Sequence, residues 1–154
     1  MQVIKLMKIK VYIAGKLRTK EERKFLEKIA SLCEKKGFDT FLPHRDVGLA
    51  KGIKDIKKIF NGDIINGFKD CKLIIAVLEG LHVGAGTAWE LGYAYAKKIP
   101  AIGIKTDEKF EDALEYLSAI LIGSMKIVSS FRQLEDELKN YKKEIKNKLF
   151  LGDI

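Results

Sequence analysis

One segment in the middle of the chain constrains the fold more than any other. It opens at residues 73–78 with a continuous apolar run, whose length and β-branched content are typical of a strand buried on both faces. A turn containing Gly84 and Gly86 follows, and small and aromatic residues then continue without a helix breaker to Pro100, with Thr87 as a candidate N-cap. The segment therefore predicts a strand, a glycine turn and a helix, the unit from which parallel sheets are built.

The rest of the chain repeats this alternation of strand and helix patterns. Strands are predicted at residues 8–14, 38–42, 73–78, 100–104 and 125–128, and helices at 20–36, 53–69, 87–99, 111–121 and 131–149. The pattern at 53–69 fits one helix or two short helices broken at Asn61 and Gly62, and residues 43–46 are predicted to form a loop. We expect a three-layer α/β/α fold around a mostly parallel five-stranded sheet, Rossmann-like or flavodoxin-like, with residues 1–154 in a single domain.

The charge and composition exclude several classes of protein. The net charge of +8 is distributed along helical segments in which lysines alternate with glutamates, as in solvated helix faces. No nucleic-acid-binding signature accompanies this charge, so we expect a small anionic partner rather than a nucleic acid. The chain has no long uncharged apolar stretch, its start has no signal-peptide cleavage site, and its two cysteines lack metal-ligand spacing. We therefore expect a cytoplasmic protein with no membrane segment.

The loops that follow the predicted strands carry the candidate functional residues. Parallel strands bring these loops to one edge of the sheet, where ligands bind. The loops contain Tyr12 with Gly15, Lys16, Leu17 and Arg18; His44, Arg45 and Asp46; residues 79–90; and Lys105, Thr106 and Asp107. Asp63 precedes the third strand and is a candidate for the same edge. Because a glycine turn that opens a helix favours an anion, we expect Glu90, on the first helical turn, to stay ionised and available as a nucleophile.

Each candidate also has a structural explanation. Glu90 is also the kind of residue that complements a helix dipole, and Lys16 and Arg18 are also typical of a solvated surface. Asp63 after Asn61 and Gly62 fits a helix N-cap equally well, and both core packing of Tyr12 and a loop position for His44 remain open. The sequence lacks a Walker motif, a full dinucleotide fingerprint, a nucleophile elbow and a histidine-rich metal site, which excludes the commonest NTPases, hydrolases and metalloenzymes.

A family resemblance arises from four motifs taken together. They are Tyr12-Ile13-Ala14-Gly15; Pro43-His44-Arg45-Asp46; Asp63 with Asp70-Cys71; and Gly86-Thr87-Ala88-Trp89-Glu90-Leu91-Gly92-Tyr93-Ala94. In this order, over about residues 8–138, they resemble the nucleoside 2-deoxyribosyltransferase superfamily. The Gly-Thr-x-x-Glu-x-Gly-x-Ala segment is specific, and the other motifs are suggestive only in combination.

Two branches of that superfamily differ at positions that this chain contains. Its 2'-deoxynucleoside 5'-phosphate N-hydrolases bind phosphate with a Gly-Ser-Ile-Arg turn, and Gly15-Lys16-Leu17-Arg18 is similar. Their partner subunit supplies a serine from a Ser-Ala-Met-Ile stretch, which Ser118-Ala119-Ile120-Leu121 resembles. At Gly84 the transferases have an aspartate and the hydrolases a phosphate-binding serine, so backbone N–H groups at residues 84–86 would have to replace that hydroxyl. The resemblance favours the hydrolase branch.

The resemblance implies a mechanism and a substrate. Glu90 would attack C1' of a deoxynucleotide and form a covalent glycosyl-enzyme, and Asp63 would protonate the departing base with a raised pKa. Tyr12 would orient Glu90, while His44 and Arg45 would line the base or sugar pocket. No metal or cofactor is required, and the working unit would be a homodimer with shared active sites. Two alternatives are a deoxyribosyltransferase that exchanges bases between deoxynucleosides and a non-catalytic module that senses a nucleotide.

Overall fold

A computed structural model of the chain describes residues 8–151, with side chains described for residues 8–148. The five strands are β1 (Lys10–Ala14), β2 (Asp39–Phe41), β3 (Cys71–Val77), β4 (Ala101–Ile104) and β5 (Lys126–Val128). The helices are α1 (Lys20–Lys35), α2 (Pro43–Asp46), α3 (Ile56–Phe60), α4 (Ala85–Ala96), α5 (Phe110–Ala113), α6 (Ala119–Gly123) and α7 (Phe131–Leu151). The prediction that the chain does not begin with a signal peptide concerns residues that lie almost entirely outside this range.

The strands form one parallel sheet in the order β2-β1-β3-β4-β5. This order is flavodoxin-like, and it brings the carboxyl ends of β1 and β3 together at the centre of the sheet. Helices α1 and α7 pack on one face through Leu26, Ile29, Leu134 and Leu138, and α4 packs on the other through Leu91 and Ala94. The predicted α/β architecture, with helices on both sides of the sheet, is confirmed.

The segment between β2 and β3 departs from its prediction. Residues 43–46 form the short helix α2 rather than a loop. A 3-10 turn at Ile53–Asp55 leads into α3, and α3 continues without a break as a wide π-helical turn at Asn61–Asn66. The proposed break at Asn61 and Gly62 is therefore wrong. Gly62 lies instead against Val47, the residue that follows α2, because an added Cβ would come within 2.6 Å of the Val47 side chain.

Two other helix predictions are corrected by the structure. Helix α4 begins at Ala85 after Gly84, so Thr87 is a buried residue inside its first turn and not an N-cap. The predicted helix at residues 111–121 is two short helices, α5 and α6. Ser118 separates them because its hydroxyl accepts a hydrogen bond from the Ile120 N–H and starts α6 as its N-cap.

The predicted apolar stripe of residues 53–69 is buried only in its second half. Ile64 and Phe68 lie in the core, whereas Ile56, Phe60 and Ile65 are exposed. Between residues 8 and 151, no helix is both long and apolar enough to cross a membrane. Cys33 and Cys71 are buried free thiols, as their spacing predicts.

Candidate active site

A hydrogen bond between β1 and α4 forms the centre of the candidate site. The Tyr12 hydroxyl donates to Glu90 Oε1 over 2.9 Å. Tyr12 is fully buried in the middle of the sheet, and its ring stacks on Phe68 and Phe41 at centroid distances of 4.1 and 5.2 Å. Because these stacking contacts and the burial fix the ring, its hydroxyl gives the Glu90 carboxyl group a fixed orientation.

Gly67 allows the turn that ends the π-helical segment to approach this ring closely. A Cβ at position 67 would lie 2.8 Å from the Tyr12 ring and 2.6 Å from the Phe41 ring, and it would overlap the carbonyl oxygen of Asp63. Only a residue without a side chain fits there. The extra residue that a π-turn accommodates, together with this glycine, brings Asp63 and Tyr12 into the same region of the fold.

Asp63 is a buried acid in the π-helical segment. Its Oδ1 has no hydrogen-bond partner among the residues that the structure describes. Burial raises the pKa of the Asp63 carboxyl to about 6. The N-cap alternative is wrong, because Asp63 lies inside a continuous helical segment and not at its start. A buried acid with an unused oxygen and a raised pKa is a group that can hold a proton near neutral pH and release it.

Glu90 is less readily ionised than we expected. It lies on the second turn of α4, and burial raises its pKa to about 7, with the Asp63 charge adding to the shift and the Tyr12 hydrogen bond opposing it. The expectation of a carboxylate kept ionised by the helix start is therefore wrong, because loss of hydration outweighs the dipole. The pKa values of Glu90 and Asp63, about 7 and about 6, place both groups in the neutral range, and the effect of the Asp63 charge on Glu90 shows that the two carboxyl groups interact.

A cavity of about 730 Å³ lies between the first loop and the start of α4. Lys16, Leu17 and Arg18 line it from the β1–α1 loop, and Gly84 lines it from the β3–α4 loop. The predicted convergence of these two loops at one edge of the sheet is therefore observed. Glu90 lies six residues beyond Gly84 on α4, a rise of about 9 Å. The cavity, which Lys16 and Arg18 line together with Glu22, thus lies within about 9 Å along α4 of the Glu90 position.

The glycines of the β3–α4 loop make room for the side chain of Lys16. A Cβ at Gly84 would lie 3.2 Å from Lys16 Cγ, and a Cβ at Gly80 would lie 3.1 Å from Lys16 Nζ. Gly80 also has a positive φ of 87°, a conformation that other residues rarely adopt. Apart from the chain neighbours of Gly86 and the nearby backbone of α4, no atom of the described residues lies within 4 Å of the position that a Cβ would take at Gly86. Gly84 therefore accommodates the added lysine of the first loop.

His44 and Arg45 make their polar contacts with α1, with β2 and with their own helix. His44 Nε2 lies 2.9 Å from Glu27 Oε1 on α1. The Arg45 guanidinium pairs with Glu34 of α1 at 3.0 Å and with Asp46 at 2.9 Å, and it donates to the Thr40 carbonyl. These contacts fasten α2 to α1, and the structure gives both side chains a structural explanation.

Ser118 and the residues after it form an exposed surface. The side chain of Ile120 is 83% exposed, and Tyr95 on α4 is also exposed. A shallow apolar groove of about 330 Å³ lies between α4 and α6, lined by Leu91, Tyr95, Ile120 and Leu121 among others. Within the described residues, the Ser118 hydroxyl makes one hydrogen bond, the α6 cap, and the Ser118 carbonyl accepts from the Ile122 N–H.

Two side chains next to the site, those of His82 and Trp89, have no predicted role in the sequence. His82 lines the same cavity as Lys16 and Arg18. The only signal for His82 in the sequence is its position in the loop segment 79–90. Trp89 is half exposed, stacks on Tyr93 at a centroid distance of 5.6 Å and meets Phe60 edge-on at 5.8 Å. Within residues 8–148, no cluster of three or more His, Cys, Asp or Glu side chains is placed to hold a metal ion.

Comparison with known proteins gives one family match and several similar folds. Residues 11–145 match the family described as nucleoside 2-deoxyribosyltransferase. A conserved protein from Enterococcus faecalis V583 is 27% identical with a TM-score of 0.69, and the match covers 87% of this chain and 99% of that one. A 2-deoxyribosyltransferase from Bacillus psychrosaccharolyticus is 19% identical with a TM-score of 0.66, covering 82% and 90%.

A CMP N-glycosidase from Clostridium botulinum is 21% identical with a TM-score of 0.50, and the match covers 86% of this chain and 98% of that one. At such low identity, this structure and the Bacillus structure support the shared fold alone. No curated protein matches the chain at a significant level.

Proposed function

Because the chain belongs to the nucleoside 2-deoxyribosyltransferase family, we propose that it cleaves the base from 2'-deoxynucleoside 5'-monophosphates through a covalent glycosyl-enzyme on Glu90. The family acts on nucleosides or nucleotides, and the chain is an enzyme of the glycosyl-transferring or glycosyl-hydrolysing kind. The observation that carries the finer proposal is the pairing of a Tyr12-bound Glu90 with the buried acid Asp63, beside a cavity lined by Lys16 and Arg18.

In the first step, the Glu90 carboxylate attacks C1' of the deoxyribose. The C1'–N bond breaks, its electron pair passes to the base nitrogen, and the Asp63 carboxyl group gives that base its proton. Tyr12 holds Oε1, so we assign the attack to Oε2. The Tyr12 hydrogen bond favours the ionised form of Glu90, but the Glu90 pKa of about 7 still lies above the Asp63 pKa of about 6. The reactive form, with Glu90 ionised and Asp63 protonated, is therefore the less populated of the two singly protonated forms.

In the second step, water replaces the enzyme at C1'. The Asp63 carboxylate accepts a proton from the water, the oxygen bonds to C1', and the C1'–O bond to Glu90 breaks with its electron pair returning to the carboxylate. Both groups then have the protonation state in which they began. A second base in place of water would give the transferase reaction with the same residues.

The first loop supports a phosphorylated substrate. Arg18 and Lys16 supply positive charge at a cavity that also borders the start of α4, where backbone N–H groups favour an anion. Arg23 on α1 donates to the carbonyl oxygens of Leu17 and Arg18 over 2.7 and 3.1 Å. The loop is therefore held in shape by its own helix, and its cationic side chains remain at the cavity.

We expect deoxynucleoside 5'-monophosphates to have a far higher kcat/KM than the matching deoxynucleosides, and Arg18→Ala to remove most of that ratio. Loss of a charge-assisted contact to phosphate should lower kcat/KM for the phosphorylated substrate by about 10-fold to 100-fold. The measurement is release of free base, separated by chromatography, from both substrate series.

Arg132→Ala is the matched control, because Arg132 is an exposed arginine on α7 and should leave the ratio unchanged. Equal rates on unphosphorylated deoxynucleosides, with base exchange when a second base is added, would establish the transferase instead. Binding of deoxynucleotides without any base release would establish the sensor.

We further propose that the working unit is a homodimer in which each site receives Ser118 from the neighbouring subunit. Support comes from the exposure of Ser118, Ile120 and Tyr95 and from the apolar groove between α4 and α6. A two-fold axis would turn this one surface into a self-complementary interface.

Mixing two inactive variants tests the shared site. We expect Glu90→Gln and Ser118→Phe subunits, each inactive alone, to recover about a quarter of the wild-type activity when exchanged in equal amounts, because half of the dimers then hold one intact site. Ser118→Asn keeps a cap for α6 and is the control for folding. A monomer by light scattering, or no recovery despite proven subunit exchange, would contradict the shared site.

A further inference from the structure

Lys105 is a buried ammonium group that the proposed reaction does not use. It follows β4 directly, and its side chain is 1% exposed. Burying a charge is costly unless its donors are all satisfied. The groups that satisfy Lys105 therefore indicate what the residue is for.

The Lys105 ammonium is bonded to the backbone of the β3–α4 loop. Its Nζ donates to the carbonyl oxygens of Leu78 and Gly80 over 3.2 and 3.0 Å. It also pairs with Asp107 at 2.9 Å and with Glu108 at 3.3 Å. Two of its four partners are thus main-chain atoms of the loop that leads to α4.

The same network holds Gly80 from its other side. The Gly80 N–H donates to Asp107 Oδ2 over 2.6 Å. Glu79 Oε1 accepts from the Thr106 N–H at 2.6 Å and from the Thr106 hydroxyl at 2.8 Å. The peptide groups of residues 78–80 are therefore fixed to residues 105–108 through both donors and acceptors.

The position of Gly80 in turn determines where Lys16 can lie. Lys16 runs past Gly84 to Gly80, and a Cβ at either glycine would meet its side chain at 3.1–3.2 Å. The backbone at these two glycines thus lies directly beside the Lys16 side chain, and a change in the shape of the loop would change where that side chain lies. Lys105 touches neither the cavity lining nor the carboxyl pair, so it can act only through the loop.

We infer that Lys105 is a positioning residue that holds residues 78–84 in the shape that places the Lys16 ammonium at the cavity. The inference rests on the proposed function in one respect, namely that Lys16 contacts the phosphate of the substrate. The position of the loop itself is independent of the substrate. The predicted consequence is an effect on substrate binding rather than on the chemical step, because Glu90 is oriented separately by Tyr12.

The test compares Lys105→Met, Lys16→Ala and the double variant on a deoxynucleoside 5'-monophosphate. We expect Lys105→Met to raise KM about tenfold with little change in kcat, the loss expected for one charge-assisted contact. In the Lys105→Met background, Lys16→Ala should have little further effect, because the two residues act as a unit. Lys126→Met, which removes an exposed lysine paired with Glu137, is the control.

Additive effects of the two substitutions on KM, or a fall in kcat alone, would overturn the inference. If Lys105→Met does not fold, Asp107→Asn is used in its place, because it removes the charged group that accepts a hydrogen bond from the Gly80 N–H. Asp107→Asn is then combined with Lys16→Ala in the same way, and we expect a smaller increase in KM.

Hydrogen exchange separates this inference from the proposed function. The amides of residues 78–84 should exchange faster in Lys105→Met than in wild type. This increase in exchange rate should be larger than the increase at the other amides of the chain. An unchanged loop overturns the role of Lys105 even if the enzyme prefers phosphorylated substrates. A loosened loop in an enzyme with no such preference retains the positioning role and overturns only the phosphate proposal.

Discussion

Replacing Glu90 by glutamine is expected to abolish base release while the protein remains folded. The amide keeps the shape of the side chain and still accepts the Tyr12 hydrogen bond, but it cannot form a glycosyl ester. Loss of a covalent nucleophile should lower kcat by at least about 10⁴-fold. Mass spectrometry of acid-quenched wild-type reactions should find a deoxyribosyl phosphate adduct on the peptide that contains residue 90, and the variant should give none.

The same substitution should raise stability above neutral pH. Burial raises the pKa of Glu90 to about 7, so the native state resists ionisation that the unfolded chain accepts. The contribution of Glu90 to stability is therefore fully present below the pKa that Glu90 has in the unfolded chain. It is lost as the pH rises through the pKa that Glu90 has in the folded protein. At pH 8, the free energy of unfolding of Glu90→Gln, measured with urea, should therefore be about 1–3 kcal/mol higher than that of wild type. The difference should disappear near pH 4.

Glu115→Gln changes an exposed carboxylate and is the control for both measurements. Turnover near the wild-type rate in Glu90→Gln would remove Glu90 from the mechanism, and with it the covalent scheme. A loss of activity together with a loss of stability at pH 8 would indicate a damaged fold instead.

Asp63→Asn is expected to separate the acid from the nucleophile. With natural bases, which need a proton to leave, kcat should fall by about 10²-fold to 10⁴-fold. With an activated base that leaves as a stable anion, the loss should be much smaller. The measurement is kcat on both substrates at the same pH. Equal losses on the two would show that Asp63 positions the sugar or supports the π-helical segment and transfers no proton.

The pH dependence of kcat/KM provides a second measurement on the same variant. The productive form has Glu90 ionised and Asp63 protonated, and the pKa values of about 7 and 6 place both transitions near neutrality. For wild type we expect a bell-shaped profile of kcat/KM against pH, whose two limbs report the ionisation of Glu90 and Asp63 together. Asp63→Asn should lose the alkaline limb, because it no longer has an acid to deprotonate. Retention of both limbs would assign the alkaline transition to another group.

The sheet and its helices were predictable because their signals are local. β3 is a long apolar run, β1 ends at Ala14 just before Gly15, and α1 begins with the Thr19 and Glu22 capping box that the structure contains. The convergence of the loops followed from parallel strands alone. The hydrogen bond between Tyr12 and Glu90 also agrees with the expectation that Tyr12 orients the carboxylate, although its catalytic role stays a prediction.

Other features depend on packing that no short window of sequence contains. The π-helical turn packs closely against residues far away in the chain, since an added Cβ at Gly62 would meet Val47 and one at Gly67 would meet the Tyr12 ring. The raised pKa of Glu90 arises from burial beneath neighbouring elements, and the helix position that favoured an ionised side chain could not reveal it. The ion pairs of His44 and Arg45 with α1 likewise depend on how two helices meet.

The position of Trp89 gives the protein a built-in optical probe. It is the one tryptophan in the sequence, it is 51% exposed, and it precedes the proposed nucleophile in α4. Indole emission shifts to shorter wavelength when water leaves the ring and to longer wavelength when the ring is hydrated. When a ligand or a second subunit covers this surface, the emission should therefore shift to shorter wavelength, whereas unfolding should shift it to longer wavelength. A single fluorescence titration thus distinguishes occupation of the site from loss of the fold.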